Sequence, residues 1–365
     1  MTAGSENLHL RSITATPVSV PMKRPLGTSA DRVESAPLLL LDLETREGVV
    51  GRSYTFCYKS GIAKSLCPIL SELGEALAGS RLAPVDLSEK IAGYFKLAGL
   101  AGPMSSAASA IDVAAWDALA VAAGLPLATM LGSAPKPIPA YNSNGLGLVS
   151  APEAADEAEQ LVKEGGAAIK VRVGRHGHQD DLAVVRAVRD RVPASIHVMA
   201  DYNQACSFTE AMHRCRGLDG EGLYWIEEPI RHDDYLHAAL IAEAVHTPIQ
   251  IGENFTGIGP MRAAFDAVAS DYVMLDLDRI GGVTGWRNAV ALAASWGWDV
   301  SSHLYPEVSA HLLAATPTRH WLEFVDWASP ILQQPLSIID GSVTAPSRPG
   351  VGIEWDTAAI AKFRI

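Results

Sequence analysis

The sequence predicts an α/β protein whose larger part is a (β/α)₈-type TIM barrel, preceded by an α+β domain. Three observations predict it. The stretch Leu223-Tyr-Trp-Ile-Glu-Glu-Pro-Ile230 runs apolar straight into two adjacent carboxylates and is stopped by a proline. A continuous apolar run of this length reads as a strand buried on both faces, as in a parallel sheet. The pattern recurs in Val198–Asn203 and Pro248–Asn254, so that Asp201, Glu227 and Glu253 fall at equal intervals of 26 residues (201 to 227, 227 to 253). A strand, a helix and two short loops occupy such a repeat. The beat also extends outward. Ala168–Arg172 ends on Lys170 and Arg172, Tyr272–Asp276 on Asp276, Asp299–His303 on His303, and His320–Glu323 on Glu323. Polar side chains at one level of successive strands mark the carboxyl-terminal rim, where such barrels carry their active sites.

The remaining elements follow in chain order. The chain has 365 residues and is 48% hydrophobic, enough for a barrel of roughly 250 residues and a second domain. Residues 1–137 do not follow the βα beat. Ile13–Met22 reads as a strand by its Val, Thr and Ile content. Residues 23–37 are polar and without period, and so long a connector is expected to be an active-site lid. Leu38–Leu43 and Gly48–Phe56 form a hairpin over Glu44–Gly48. Helices are expected at Ile62–Leu77 and Ser105–Ala123, the latter with Asp112 and Asp117 off its apolar stripe. The barrel runs over residues 138–327, and residues 328–365 depart from its pattern.

Composition excludes some functions. A net charge of −12 and the lack of a Lys/Arg run disfavour nucleic acid and anionic membranes as partners. The polar stretch Met1–Leu10 has no apolar core of a signal peptide, and no run of eighteen apolar residues suggests a membrane span. The four cysteines, Cys57, Cys67, Cys206 and Cys215, lack metal-type spacing; reduced, buried thiols in a cytoplasmic enzyme are expected.

The rim residues imply a chemistry. Three carboxylates at adjacent strand ends suit one hard dication, and Mg²⁺ favours such oxygen ligands, so Asp201, Glu227 and Glu253 are expected to bind a single Mg²⁺. Successive strand residues face opposite ways, so Glu228 cannot join Glu227 in the pocket and should stand behind it. A dication there binds a substrate carboxylate and stabilises the charge formed when its α-proton leaves. His303 is the candidate base, since a histidine titrates near neutrality. Asn203 shares strand parity with Asp201 and is placed to hold an α-hydroxyl. His311 and His320 read as packing residues.

The set Lys170, Arg172, Asp201, Glu227, Glu253, Asp276, His303 and Glu323 resembles the enolase superfamily, mandelate racemase subgroup. So do Asp201-Tyr-Asn-Gln204, Trp225-Ile-Glu-Glu-Pro229, Ile280-Gly-Gly-Val-Thr-Gly-Trp286, Ser301-Ser-His-Leu304 and Ser309–Thr318, over nearly the whole chain. The resemblance implies that residues 1–137 cap the barrel mouth and that residues 328–365 return to pack on that cap. It implies Asp276 as the partner of His303, and Glu323 (as a protonated acid), Lys170 and Ser143 as groups that hold the substrate carboxylate. It implies an apolar pocket of Leu26, Val33, Phe56, Tyr58, Leu304 and Val325, and a homo-oligomer, an octamer in the family's pattern. Arg172 departs from that pattern, which has Lys-x-Lys with the second lysine a base. An arginine stays protonated, so a two-base racemisation is put in question while α-proton abstraction is not. The expected function is therefore racemase- or epimerase-like chemistry on a small 2-hydroxycarboxylate. Its alternatives are an acid-sugar dehydratase with His303 as sole base, and a non-catalytic binding descendant.

Overall fold

Strands β1 (Leu10–Gly27), β2 (Arg32–Thr45) and β3 (Val50–Phe56) open the chain as an antiparallel sheet in that order. The structure, a computed structural model, describes residues 7–365; the first six residues of the polar amino terminus lie outside the described residues. The run Leu38–Leu41 in β2 is apolar without alternation because the strand is covered on both faces. Leu39, Leu41 and Leu43 pack among helices of the same domain, whereas Leu38 and Leu40 join the core shared with the barrel.

Residues 23–37 are not the structureless connector expected of them. They are the end of β1, a turn at 28–31 and the start of β2, with Leu26 paired to Val33 across a register break after Pro21. That break is what hides the strand period in the sequence.

Helices α1 (Ser60–Leu77), α2 (Pro84–Tyr94), α3 (Pro103–Ala123) and α4 (Leu127–Met130) follow. The sequence reading missed α2, although Pro84 at its first position and Asp86 in its first turn are start signals. By length and composition α3 is apolar enough to cross a membrane, yet it is a packed helix between sheet and barrel. Its Asp112 and Asp117 are buried rather than outward. Asp112 accepts from the Thr284 backbone at 2.9 Å, and Asp117 from the Arg52 and Val351 backbones at 2.7 and 2.6 Å.

Eight parallel strands form the barrel: β4 (Pro137–Asn142), β5 (Ala168–Arg172), β6 (His197–Asp201), β7 (Ile226–Glu227), β8 (Ile249–Ile251), β9 (Tyr272–Asp276), β10 (Val300–His303) and β11 (Leu322–Phe324). The strands β4 to β10 lie side by side in chain order, and β11 pairs with β4. Ser302 N–H donates to Trp321 O at 2.9 Å and His320 N–H to Val300 O at 2.8 Å, which closes the ring. The outer helices are α5 (Ala151–Lys163), α6 (His178–Arg191), α7 (Phe208–Leu218), α8 (Tyr235–Ala244), α9 (Ile258–Ala267), α10 (Leu277–Ile280) with α11 (Gly282–Trp296), and α12 (Pro306–Ala315). After β11 a 3₁₀ turn, Ser329–Ile331, takes the place of a helix. The chain then adds β12 (Ser342–Thr344) antiparallel to β4 and ends in α13 (Thr357–Phe363). On the way it touches the first domain: Trp355 Nε1 donates to Asp42 at 3.0 Å, and Arg52 to Ile353 O at 3.2 Å.

Tyr141, Met199, Trp225 and Trp321 fill the barrel below its rim. His320 is hydrogen-bonded to Tyr224 at 2.8 Å, and His311 bridges the Ala128 N–H and Val351 O, both as packing residues. All four cysteines are free thiols, three of them buried and Cys67 partly so.

Candidate active site

Asp201 and Glu227 are the last residues of neighbouring strands and pair directly across β6 and β7. Glu253 stands two residues beyond β8, because Gly252 turns the chain there with φ 120°. Any side chain at 252 would meet Met274 O at 2.5 Å. One oxygen from each of the three carboxylates lies within 4.8 Å of the others. Asp201 and Glu227 are almost wholly buried. Burial, and then the charge of Asp201, push the Glu227 carboxyl well above its usual range against the pull of Lys170. Three buried oxygen donors that repel one another suit a hard dication, so the residues present fit such an ion.

Each carboxylate is oriented by fixed donors. Trp225 Nε1 donates to Glu227 at 3.0 Å, and the Asn203 backbone and side-chain amides donate to Asp201 at 2.8 and 3.0 Å. The ammonium of Lys170 lies 3.2 Å from Asp201, 2.8 Å from Glu227 and 3.0 Å from Glu323. Burial opposes its charge, but Glu227 and Glu323 outweigh burial and hold its pKa well above the lysine range. Glu228 does stand behind Glu227. Its backbone is left-handed, φ 35°, and its carboxylate takes the Asn254 amide at 2.8 and 3.0 Å.

Arg279 and Asn254 were not foreseen. Arg279 donates to Asn254 Oδ1 at 2.7 Å and to Glu253 O at 3.1 Å, so a cation braces the third carboxylate from behind. The signal was faint: one arginine between Asp278 and the apolar-glycine run Ile280-Gly-Gly-Val283. Its backbone N–H caps onto Asp276 at 2.9 Å, which fixes it to the end of β9.

His303 faces the carboxylates from β10. Its Nδ1 lies 2.6 Å from Asp276 and its Nε2 is 3.3 Å from Glu253 and 3.8 Å from Glu323. Burial works against the imidazolium, but Glu253, Glu323 and Asp276 together raise its pKa to about 9. Asp276 also resists burial: His303 and Arg279 hold its carboxyl below the usual range. Glu323 differs from the protonated acid expected of it. Burial favours the neutral form, yet Lys170 and then His303 hold the carboxyl far below its usual range, and the Leu304 N–H donates to it at 2.9 Å.

Arg172 is clamped on one side. Its Nη1 donates to Ser143 O at 2.9 Å and Gly145 O at 3.0 Å, and its Nη2 to Ser143 Oγ at 2.9 Å. Its Nε is buried without a partner among the described residues.

These groups surround a cavity of about 220 Å³. Lys170, Arg172, Asp201, Asn203, Glu253, His303 and Glu323 form its polar side. Leu26, Val33, Phe56, Tyr58 and Leu304 line the other side, and the hairpin turn adds Thr28, Ala30 and Asp31. Val325, expected in this wall, is buried in the core away from it; Trp327, packed on Phe56 at 4.8 Å between ring centres, takes the place. Glu227, Ser143 and Asp276 are buried just beyond this lining, Glu227 with an oxygen within 4.8 Å of those of Asp201 and Glu253.

A capped barrel with a carboxylate triad facing a histidine–aspartate pair defines a metal-site enzyme architecture. The chain belongs to the mandelate racemase/muconate lactonizing enzyme family of the enolase superfamily. Residues 11–132 match the mandelate racemase/muconate lactonizing enzyme N-terminal domain and residues 153–359 the enolase C-terminal domain-like family. A solved enolase structure from alpha proteobacterium bal199, with bound magnesium, superposes with a TM-score of 0.96 at 43% identity, over 98% of this chain and 100% of that one. An enolase from Bradyrhizobium, complexed with magnesium and mandelic acid, gives a TM-score of 0.94 at 39% identity over 98% and 99%. L-talarate/galactarate dehydratase of Salmonella typhimurium is 30% identical over 340 residues, 93% of this chain and 85% of that enzyme. Relatives thus include dehydratases, cycloisomerases and epimerases.

Proposed function

We propose that this protein removes the α-proton of a 2-hydroxycarboxylate from one face only, with His303 as its single base. The asymmetry of the two faces carries the reading. On one side His303 presents Nε2 to the cavity with Nδ1 held by Asp276 at 2.6 Å. On the other, Arg172 is a guanidinium clamped by Ser143 O and Ser143 Oγ, a side chain that offers donors and no acceptor for a proton. Asp201, Glu227 and Glu253 would hold one magnesium ion, which supplies positive charge to the substrate carboxylate and to the charge that develops as the proton leaves.

Lys170 and Glu323 lie where a carboxylate bound beside the triad would meet them. A second carboxylate brought next to Glu323 raises its proton affinity, which would let it donate a hydrogen bond. The unpartnered Nε of Arg172 offers one more donor to the substrate. Asn203 spends its amide N–H on Asp201, leaving its buried Oδ1 unpartnered as the acceptor for an α-hydroxyl.

With a β-hydroxyl on the substrate, one base suffices for dehydration. His303 takes the α-proton, the β-carbon–oxygen bond breaks, and the imidazolium returns its proton so that water leaves. Racemisation is the second reading. The apolar wall of Leu26, Val33, Phe56 and Leu304 supports it, as does the mandelic acid held by the Bradyrhizobium relative.

The test is incubation of each enantiomer of a 2-hydroxy acid in D₂O with Mg²⁺, followed by NMR of the α-proton and product analysis. Exchange is expected from one enantiomer and is abolished by His303→Asn. Comparable exchange from both enantiomers would show a second working base and remove the reading.

A further inference from the structure

A second cavity, of about 360 Å³, lies behind the apolar wall, between the first domain and the barrel rim. It shares Phe56, Tyr58, Asn254 and Arg279 with the catalytic cavity, so these four residues are the partition between the two. Its inner side is apolar, with Cys57, Ile62, Leu66 and Pro103; Ser106 and His232 stand among its polar groups.

The four partition residues are not equally fixed. Asn254 donates to Glu228 and accepts from Arg279, while Arg279 is tied to Glu253 O as well. Phe56 is buried against Trp327. Tyr58 is 38% exposed, and its phenol oxygen accepts one hydrogen bond among the described residues, from Arg279 Nη2 at 3.1 Å. Its backbone is left-handed, φ 59°, an uncommon conformation for an aromatic residue that occurs where surrounding structure imposes it. Turning this one ring breaks the Arg279 hydrogen bond and the ring's contacts with Phe56, 4.4 Å between ring centres, and with the Arg279 guanidinium at 5.9 Å, and joins the two spaces.

We propose that the second cavity is a distal subsite for elongated 2-hydroxycarboxylates, with Tyr58 as the swinging partition. The carboxylate and α-carbon would remain at the rim, and an aryl or alkyl tail would extend past Tyr58 onto Ile62 and Leu66. A polar tip on that tail would meet Ser106 and His232. The inference rests on the 2-hydroxycarboxylate reading for the head of the ligand but not on which base works.

Calorimetry of the Mg²⁺-loaded protein with mandelate and with the 4-phenyl analogue of mandelate tests it. The longer acid should bind about tenfold tighter or more, from the added apolar burial. Ile62→Trp and Ser106→Phe, two part-exposed positions that a larger side chain can occupy without opening the core, should each erase that advantage. Tyr58→Ala should increase it. A longer acid that binds no better than mandelate, or an advantage untouched by both filling variants, overturns the proposal. If the advantage behaves as expected but neither acid exchanges its α-proton, the His303 reading fails and the subsite stands.

Discussion

The two sides of the catalytic cavity are held in place very differently. On the barrel side most charged groups have fixed partners: Glu227 has Trp225 and Lys170, Asp201 has Asn203, and His303 has Asp276. These groups sit on strand ends, where backbone pairing already sets their spacing. Most of the facing wall, Leu26, Val33, Phe56 and Tyr58, comes from another domain. The base of its hairpin is tied to the barrel by Arg24, which donates to Glu164 at 2.9 and 3.0 Å, and by the Leu148 N–H, which donates to Gly27 O at 3.2 Å. Its tip is tied to the barrel by Ser29, whose hydroxyl donates weakly to Tyr202 O and Asn203 O at 3.4 Å each, and to its own domain by a solvent-exposed Asp31–Lys59 pair. Exposed pairs contribute little, about 0–1 kcal/mol. The difference teaches a division of labour. Chemistry is set by an interlocked buried network, and substrate choice by side chains that can change without disturbing it.

The strongest way to break this division is to cut the network at its centre. Glu227→Gln keeps the volume but removes one of three charges, and activity should fall about 10³-fold or more. Thermal melting should stay close to the parent, because the barrel strands do not depend on that charge. EDTA should produce the same loss in the parent protein. Full activity in EDTA would show that the triad holds no essential ion.

Arg172→Lys tests the same network from its other face, with a smaller effect. A single ammonium cannot span Ser143 O, Gly145 O and Ser143 Oγ as the guanidinium fork does, so a cost of about 1–2 kcal/mol in stability is expected. In return a titratable amine would face the cavity opposite His303. Slow α-proton exchange from the second enantiomer should appear by NMR in D₂O. Its absence in a folded variant would mean that Arg172 does not approach the α-carbon.

The barrel side was legible from the residues themselves, whereas Leu26, Val33, Phe56, Tyr58 and Leu304 of the wall were legible only through the family resemblance. Asp201, Glu227 and Asp276 announce themselves because a buried apolar strand that ends in a carboxylate leaves few explanations. Glu253 was legible by interval alone, since it lies past its strand. Arg279 and Asn254 were hidden because their roles depend on neighbours from other βα units: Asn254 on Glu228, and Arg279 on Asn254 and Glu253. The hairpin at 23–37 looked like a loop because a register break erased its period-two pattern. Val325 was assigned to the wall by position along the chain, whereas the turn after β11 brings Trp327 there. Glu323 is expected protonated beside a substrate carboxylate; in the ligand-free chain the Lys170 ammonium, 3.0 Å away, favours its ionised form.

The hairpin offers a milder contrast. Because the tip is held by Ser29 and the Asp31–Lys59 pair, residues 28–31 should exchange backbone hydrogens faster than the barrel rim in the ligand-free protein. Mg²⁺ with a bound 2-hydroxy acid should slow them. Ser29→Ala with Lys59→Ala should raise KM by a few-fold, about 2–5, and change kcat less. Protection equal to that of Asp201 without ligand would place the wall on the same footing as the floor.

The smallest expected effect concerns the seam that carries the wall to the barrel. Thr55 and Tyr305 both donate to Asp278, and the Phe56 N–H donates to the Tyr305 hydroxyl at 3.1 Å, so the strand bearing Phe56 docks on a buried carboxyl. Burial, then the charge of Asp276, raise the Asp278 pKa to about 8, and burial raises that of Asp117 to about 7. A carboxyl whose folded pKa lies above its unfolded value binds its proton more tightly when folded. Its contribution is complete below the unfolded pKa near 3.8 and is lost as pH rises through the folded value. His303, raised to about 9 in the metal-free protein, acts in the same direction between 6.5 and 9. The opposite sign belongs to His311 and His320, both lowered to about 4 by burial; their contribution is present above 6.5 and is lost as pH falls toward 4. Between pH 6.5 and 9, therefore, only the destabilising trend operates among these groups. In EDTA the urea midpoint should fall by about 0.5 M across that window. Asp278→Asn, which keeps the shape of the protonated carboxyl, should flatten the fall. A midpoint that rises over the same window, or that falls equally in Asp278→Asn, would mean that the wall docks on an ionised carboxylate and that the seam is as strongly charged as the floor it faces.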